Sequence, residues 1–234
     1  MPVNIKAKLL KKEELTTGIF KFSVQAEEIV KTAKPGHFVE IRVNDDIEPF
    51  LRRPISIYNI DRENGILEFI FQEKGKGTKM LSARREGELI DIIGPLGHGT
   101  FKYSSFNNLA IIGGGIGVFP LYELAKSAKL ENKNINTYLG FRNKDLVVLE
   151  DEFRNVSNNI IIATDDGSYA EKGFAIDFLK KDIPCQISLE EKMACGLGVC
   201  LGCAVKTAAS PKDAPEYWHV CKAGPVFQAK DVEI

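Results

Sequence analysis

Four of the five cysteines fall in the last forty residues, at Cys195, Cys200, Cys203 and Cys221. The first three follow C-x4-C-x2-C and the fourth stands apart, which is the plant-type pattern for thiolates holding a [2Fe–2S] cluster. Two irons and two sulfides inside one loop need backbone N–H groups turned toward the sulfurs. Gly196, Gly198 and Gly202, interleaved with the cysteines, permit the dihedrals and the close approach. Structural zinc is the competing reading, but it usually shows two C-x2-C pairs and one is present. In a reducing compartment such a cluster is a better metal site than a disulfide pair, and disulfides do not call for the glycines. Cys185 lies outside the spacing and reads as a small buried hydrophobe.

Three further stretches suit phosphate and nucleotide chemistry. In Arg52–Ser56 an arginine can clamp a pyrophosphate and a serine can hydrogen-bond a flavin ring nitrogen, although a surface strand would look the same. Glu73–Thr78 is a glycine-rich turn into a helix, read with Thr78 as its N-cap and a helix over Thr78–Arg85. Gly113-Gly114-Gly115-Ile116-Gly117 follows a strand and precedes a helix, the context of a dinucleotide site but not its standard G-x-G-x-x-G spelling. Asp165–Ser168 closes a strand where open α/β sheets bind ligands, either to hold a ribose hydroxyl or as a solvated turn. The histidines, 37, 98 and 219, are scattered and none is assigned a catalytic role.

The elements that must position these groups change character along the chain. Up to about residue 100 short strands predominate, at Ile19–Val24, Phe38–Val43, Ile55–Asn59, Ile66–Phe71 and Leu89–Ile93, separated by Gly and Pro turns. That pattern predicts an antiparallel barrel or sandwich. Next come buried strands at Leu109–Ile112, Ile135–Phe141 and Ile160–Thr164, with a helix over Pro120–Leu130, which predicts a parallel α/β sheet. From about Pro184 the chain is rich in Cys and Gly. The expected domains are 1–100, 101–184 and 185–234.

The 234 residues carry 31 basic and 32 acidic side chains, so no basic footprint for nucleic acid or an anionic membrane is expected. The start lacks the apolar run of a signal peptide, and the longest uncharged apolar stretch, Leu109–Tyr122, is too short to span a bilayer. A cytoplasmic location is expected.

Taken in order, these motifs resemble the ferredoxin-reductase superfamily, and within it the electron-transfer subunits of B-type dihydroorotate dehydrogenase. The likeness is carried by Leu51–Ser56 (LRRPIS), Gly75–Thr78 (GKGT), Thr164–Ser168 (TDDGS), Ser188–Thr207 (SLEEKMACGLGVCLGCAVKT) and Lys222–Phe227 (KAGPVF). It implies a multidomain β and α/β protein: an antiparallel FAD-binding barrel, a Rossmann-like parallel nucleotide domain and a small C-terminal [2Fe–2S] domain. By position, Arg53, Pro54, Ile55 and Ser56 would line FAD, with Ile70, Phe71 and Gln72 beside it and Gly77 and Thr78 at its pyrophosphate. Gly113, Gly114, Gly115 and Gly117 would face NAD, and the four cysteines would hold the cluster. The implied role is to relay electrons between NAD and an FMN-containing catalytic subunit, in a heterotetramer that oxidises dihydroorotate for pyrimidine synthesis. No general acid or base is required.

Two departures stand out. Ile55 occupies a place that is aromatic in the wider superfamily. The run after Phe178 reaches Ser188 without a further strand, a Cys-Gly-Pro turn and a helix, so one unit near the nicotinamide is missing and weak NAD(H) binding is expected. The alternatives are an FAD/[2Fe–2S] subunit of a glutamate-synthase-like or sulfide-oxidising complex, a non-enzymatic carrier with a decayed NAD site, and a zinc-stabilised binding protein.

Overall fold

The computed structural model describes residues 1–44, 48–178, 184–211 and 213–233. Six antiparallel strands, β1 (Val3–Thr16), β2 (Ile19–Gln25), β3 (Phe38–Arg42), β4 (Arg53–Asp61), β5 (Ile66–Gln72) and β6 (Leu89–Leu96), close into a barrel in the order β1-β2-β5-β4-β3-β6. Alternation sends Leu9, Phe22, Ile41, Ile57, Phe69 and Ile92 inward, where each is fully buried. Phe22 packs edge-on against Phe71 at 5.1 Å between ring centroids. Strand β1 carries no sequence signal because alternate Lys and Glu side chains face solvent and only Ala7 and Leu9 are buried. Its place is set by two ladders, to β2 and to β6.

Two short helices decorate the barrel, α1 (Glu27–Val30) and α2 (Lys76–Ser82). The helix expected over Thr78–Arg85 thus starts and stops earlier. Gly75, not Thr78, is the N-cap, and the Thr78 hydroxyl reaches back to accept the N–H groups of Lys74 (2.9 Å) and Gly75 (3.1 Å).

A second, wholly parallel sheet follows, formed by β7 (Asn108–Gly114), β8 (Asn134–Phe141), β9 (Asn159–Thr164) and a two-residue β10 (Glu171–Lys172), in the order β10-β9-β8-β7. Among the described residues no strand pairs beyond β7; the junction at 179–183, where one unit is expected to be missing, lies outside them. Helix α3 (Leu121–Leu130) crosses from β7 to β8 and α4 (Glu150–Val156) from β8 to β9.

Helix α3 also holds the sheet to the barrel. The Glu123 carboxylate, 1% exposed, accepts the Ile60 N–H of β4 at 2.8 Å, pairs with Lys126 at 2.7 Å and accepts the Ser127 hydroxyl at 3.0 Å. Lys126 donates to the Ile60 carbonyl (2.9 Å) and to Asn59, and Tyr122 stacks on Tyr58 at 4.8 Å.

The C-terminal segment forms two hairpin-like pairs, β11 (Gln186–Ser188) with β14 (Val226–Gln228) and β12 (Ala204–Lys206) with β13 (Tyr217–His219). It packs on the mouth of the barrel, where Phe38 and Leu96 meet Val205, Val220 and Phe227. The Gly99 N–H donates to the Gly224 carbonyl at 2.8 Å, and a side chain on Gly99 would run into the Val226 and Ala223 carbonyls. One expectation fails here: Cys185 is exposed rather than a core thiol. Pro225, Val226 and Phe227 are buried in this packing, with Phe227 stacked on Trp218.

The barrel–sheet seam makes a stability prediction. Glu123→Ala strips the acceptor from a buried N–H, which costs about 2–3 kcal/mol. Its unfolding midpoint should fall clearly, while Glu123→Gln, which keeps a carbonyl acceptor, should recover part of the loss.

Candidate functional site

The loop from Cys195 to Cys203 lies at the surface, with Cys200 exposed, Cys195 half-buried, and Cys203 and Cys221 buried. Its backbone is turned onto the sulfurs. Cys195 Sγ accepts the N–H groups of Leu197, Val199 and Cys200, each at 3.4 Å, Cys221 Sγ accepts Gly198 N–H at 3.1 Å, and Cys203 Sγ accepts Cys221 N–H at 3.4 Å. Gly196 and Gly198 take φ values of +66° and +81°, and side chains there would strike Glu40 and Lys222. Burial alone would raise the Cys195 thiol, but the Cys200, Leu197 and Val199 N–H groups outweigh it and lower the pKa to about 6. Burial, then the neighbouring Cys203, pushes Cys221 up to about 12. Among the described residues no three His, Cys, Asp or Glu groups converge as a single metal ion would require. Four thiols with N–H groups already aimed at three of them fit an iron-sulfur cluster, which these cysteines would hold.

Behind this loop sits a carboxyl that sequence reasoning missed. Glu40 on β3 is 1% exposed, and neither carboxyl oxygen has a hydrogen-bond partner among the described residues. Burial raises its pKa to about 7, with Arg52 and Arg53 acting against the rise and Cys195 adding to it. Nothing in the sequence marks it, because an acidic residue at alternate register reads as outward-facing.

The barrel residues singled out for a flavin come together. A cavity of about 220 Å³ is lined by Pro54, Ile55 and Ser56 of β4, Ile70, Phe71 and Gln72 of β5, and Thr78 of α2. Phe71 is 3% exposed with its ring committed to the barrel core. Arg53 and Gly77 stand just outside the lining and in contact: a Cβ on Gly77 would fall on the Arg53 guanidinium. Arg53 Nη1 donates to the Leu51 and Arg52 carbonyls at 2.8 and 3.0 Å. The remaining wall was not foreseen as such: Phe119 and Pro120 come from the start of α3, and Leu189, Glu190 and Met193 from the segment before the cysteines. Burial raises the Glu190 pKa, against Lys74.

A larger cleft of about 640 Å³ lies at the carboxyl ends of β7 and β8, lined by Gly113, Gly114, Gly115, Arg142 and Asp165, and it shares Gln72, Lys74, Ile116 and Phe119 with the first cavity. Gly117 lies in the 3-10 turn Gly115–Val118 and is not part of the lining. Asp166 and Ser168 are engaged in the turn, Asp166 accepting Ser168 N–H and Ser168 accepting Lys144 N–H. The far wall is made by Phe174, Ala175 and Ile176, with Ala175 seated over Gly140.

The comparisons follow this geometry. Residues 6–103 match the oxidoreductase FAD-binding domain, and residues 190–233 match the iron-sulfur cluster binding domain of dihydroorotate dehydrogenase B. The electron transfer subunit of dihydroorotate dehydrogenase B (NAD(+)) from Bacillus mycoides (strain KBAB4) is 34% identical over 251 residues, 96% of this chain and 96% of the relative. The chain belongs to this family. The corresponding subunit of Bacillus cereus (strain Q1) matches at the same identity and coverage. The aligned span of 251 exceeds the 234 residues of the chain, so the alignment holds gaps on this chain's side, in keeping with a missing unit. Among solved structures, a chain of an NADH-dependent reduced ferredoxin-NADP oxidoreductase, studied for flavin-based electron bifurcation, superposes with a TM-score of 0.85 at 28% identity. The match covers 98% of this chain and 90% of that one. A cytochrome P450 reductase of Amycolatopsis shares the fold at 20% identity and TM-score 0.65, over 75% of this chain and 56% of its own.

Two outcomes are expected from these sites. A Cβ on Gly113 would lie 2.7 Å from Leu121 Cδ1 and 3.0 Å from Val118 Cα, whereas one on Gly114 meets nothing within 4 Å. Gly113→Ala should therefore cost about 1–3 kcal/mol of stability and Gly114→Ala almost none, as read from thermal unfolding. Glu40 has a folded-state pKa raised above its ordinary 4.5 to about 7, so it favours the folded state below 4.5 and that stability is lost as pH rises through 7. Cofactor-free protein should lose roughly 3 kcal/mol at most between pH 4.5 and 8 on this account, and Glu40→Gln should flatten that part of the pH–stability curve.

Proposed function

We propose that the chain is the electron-transfer subunit of an NAD-dependent dihydroorotate dehydrogenase, relaying electrons between NAD(H), FAD and a [2Fe–2S] cluster. Its partner is an FMN-containing catalytic subunit, in a heterotetramer serving pyrimidine synthesis. The observation that carries the reading is the small cavity, whose wall is shared by the barrel, the start of α3 and the segment leading into the cysteine loop. A redox group seated there touches all three parts of the chain. When bound, FAD converts between two-electron and one-electron transfer and the cluster carries single electrons.

The chain's own residues bind and orient. Ser56, Gln72 and Thr78 offer polar atoms to the ring and its tail, and Arg53, held over Gly77, supplies the cation for the pyrophosphate. Cys195, Cys200, Cys203 and Cys221 hold the cluster, with loop N–H groups offsetting charge on the sulfurs. Gly114 and Gly115 leave the cleft floor open for the NAD pyrophosphate, and Asp165 borders it for the ribose. Gly140 and Ala175, in contact, wall the cleft where the nicotinamide is expected to lie.

The test is an anaerobic visible spectrum with iron, sulfide and flavin analysis, before and after NADH. FAD with equal amounts of iron and acid-labile sulfide is expected; stoichiometric zinc without sulfide would overturn the reading. Cys200→Ala should lose the cluster absorbance and keep the flavin. Arg53→Ala should weaken FAD retention tenfold or more, for the loss of a charge-assisted contact of about 1.5–3 kcal/mol.

A further inference from the structure

A groove of about 600 Å³ runs beside the cysteine loop, between the turn after α1, the end of β6 and residues Gly196–Leu197, with Cys221 in its wall. Its charge has one sign. Lys31, Lys34, Arg62 and Lys222 are exposed around it, and no Asp or Glu lines it. None of the four takes part in an ion pair among the described residues. Among the described residues the one hydrogen bond made by these four side chains runs from Arg62 to the Ala33 carbonyl at 2.5 Å. His37 and His98, far apart in sequence, meet here. Burial, Lys34 and His98 together lower His37 to about 4, so it adds no charge at neutral pH. A cluster of cations with no counter-charge on a chain of net charge −1 is not a general property of its surface.

The groove also has a redox address. The inner side of Gly196 is packed against Glu40 of the barrel, so only the outer side of the loop is open to another molecule. There Leu197, Val199 and Leu201 are 48%, 79% and 60% exposed, around an exposed Cys200. An occupant of the groove rests against Gly196 and Leu197 of the loop, and one that extends past Leu197 reaches Val199 and Leu201; an apolar centre beside charged groups is the composition of a protein interface.

We propose that this groove is the electrostatic half of the docking surface for the redox partner, which seats an acidic protein segment among Lys31, Lys34, Arg62 and Lys222 while its apolar contacts fall on Leu197, Val199 and Leu201. The inference rests on the partner being the FMN-containing subunit. Complementary charge of this kind speeds encounter and fixes register, at a strength that depends on ionic strength.

The test uses the full chain with its cofactors and the FMN-containing subunit, with association measured at low and high salt. Lys31→Glu and Lys34→Glu should each weaken binding about tenfold and reduce its salt dependence, with flavin and cluster spectra unchanged. Lys129→Glu, on exposed α3 surface, should bind like the parent. Equal binding by parent and groove variants, or binding by the parent that is indifferent to salt, overturns the proposal and leaves the partner assignment standing. Failure of the parent itself to associate overturns the partner assignment and the proposal with it. Retention of a single-stranded oligonucleotide by the parent, lost in both groove variants, would reassign the groove to nucleic acid.

Discussion

The buried carboxylate of Glu123, accepting the Ile60 N–H across the seam, fixes the barrel against the parallel sheet. Two binding regions depend on it. The small cavity takes wall residues from the barrel and from the start of α3, and the larger cleft shares four residues with it. A hinge at this seam would separate both sets, and orientation of reacting groups is worth much of the rate of a transfer step. A carboxylate bonded to a backbone N–H, a lysine and a serine, backed by Tyr58 stacked on Tyr122, leaves little freedom there.

The second junction works by different physics. The cysteine segment has little regular structure of its own, and its four strands are three residues each. It is held by side chains buried against Phe38 and Leu96 and by backbone contacts too close for any residue but glycine at Gly99. One consequence is that the turn at Pro225–Phe227 is consumed in attachment, while Leu197, Val199 and Leu201 of the loop and Tyr217 and Trp218 of β13 stay exposed. Another is that a carboxyl, Glu40, is trapped between barrel and loop with no hydrogen-bond partner among the described residues, at a cost that the surrounding packing must sustain.

The glycines after β7 divide by role in a way that their adjacency conceals. Gly113 is required by α3, whose Leu121 and Val118 occupy the space a side chain would need. Gly114 and Gly115 face open space and lie in the cleft lining, so packing of the described residues does not account for them.

Much of this protein is decided by local chemistry that the sequence displays. The cysteine spacing with its glycines, the barrel strands β2 to β6 and the alternation of buried strand and helix after residue 108 follow from rules acting within a few residues, so they are legible without coordinates. Strand β1 is not, because a strand paired on both sides and facing water on most of one surface needs no apolar run. The start of α2 was misplaced because the Thr78 hydroxyl can cap either way, and only the path of residues 73–75 chooses. The exposure of Cys185 is not legible either, because a small thiol suits a core or a surface equally and only packing decides. Tertiary structure alone brought Arg62 and Lys222 to the groove that Lys31 and Lys34 line and put Glu40 beneath the cysteine loop, since charges distant in sequence share a field only when folding brings their segments together.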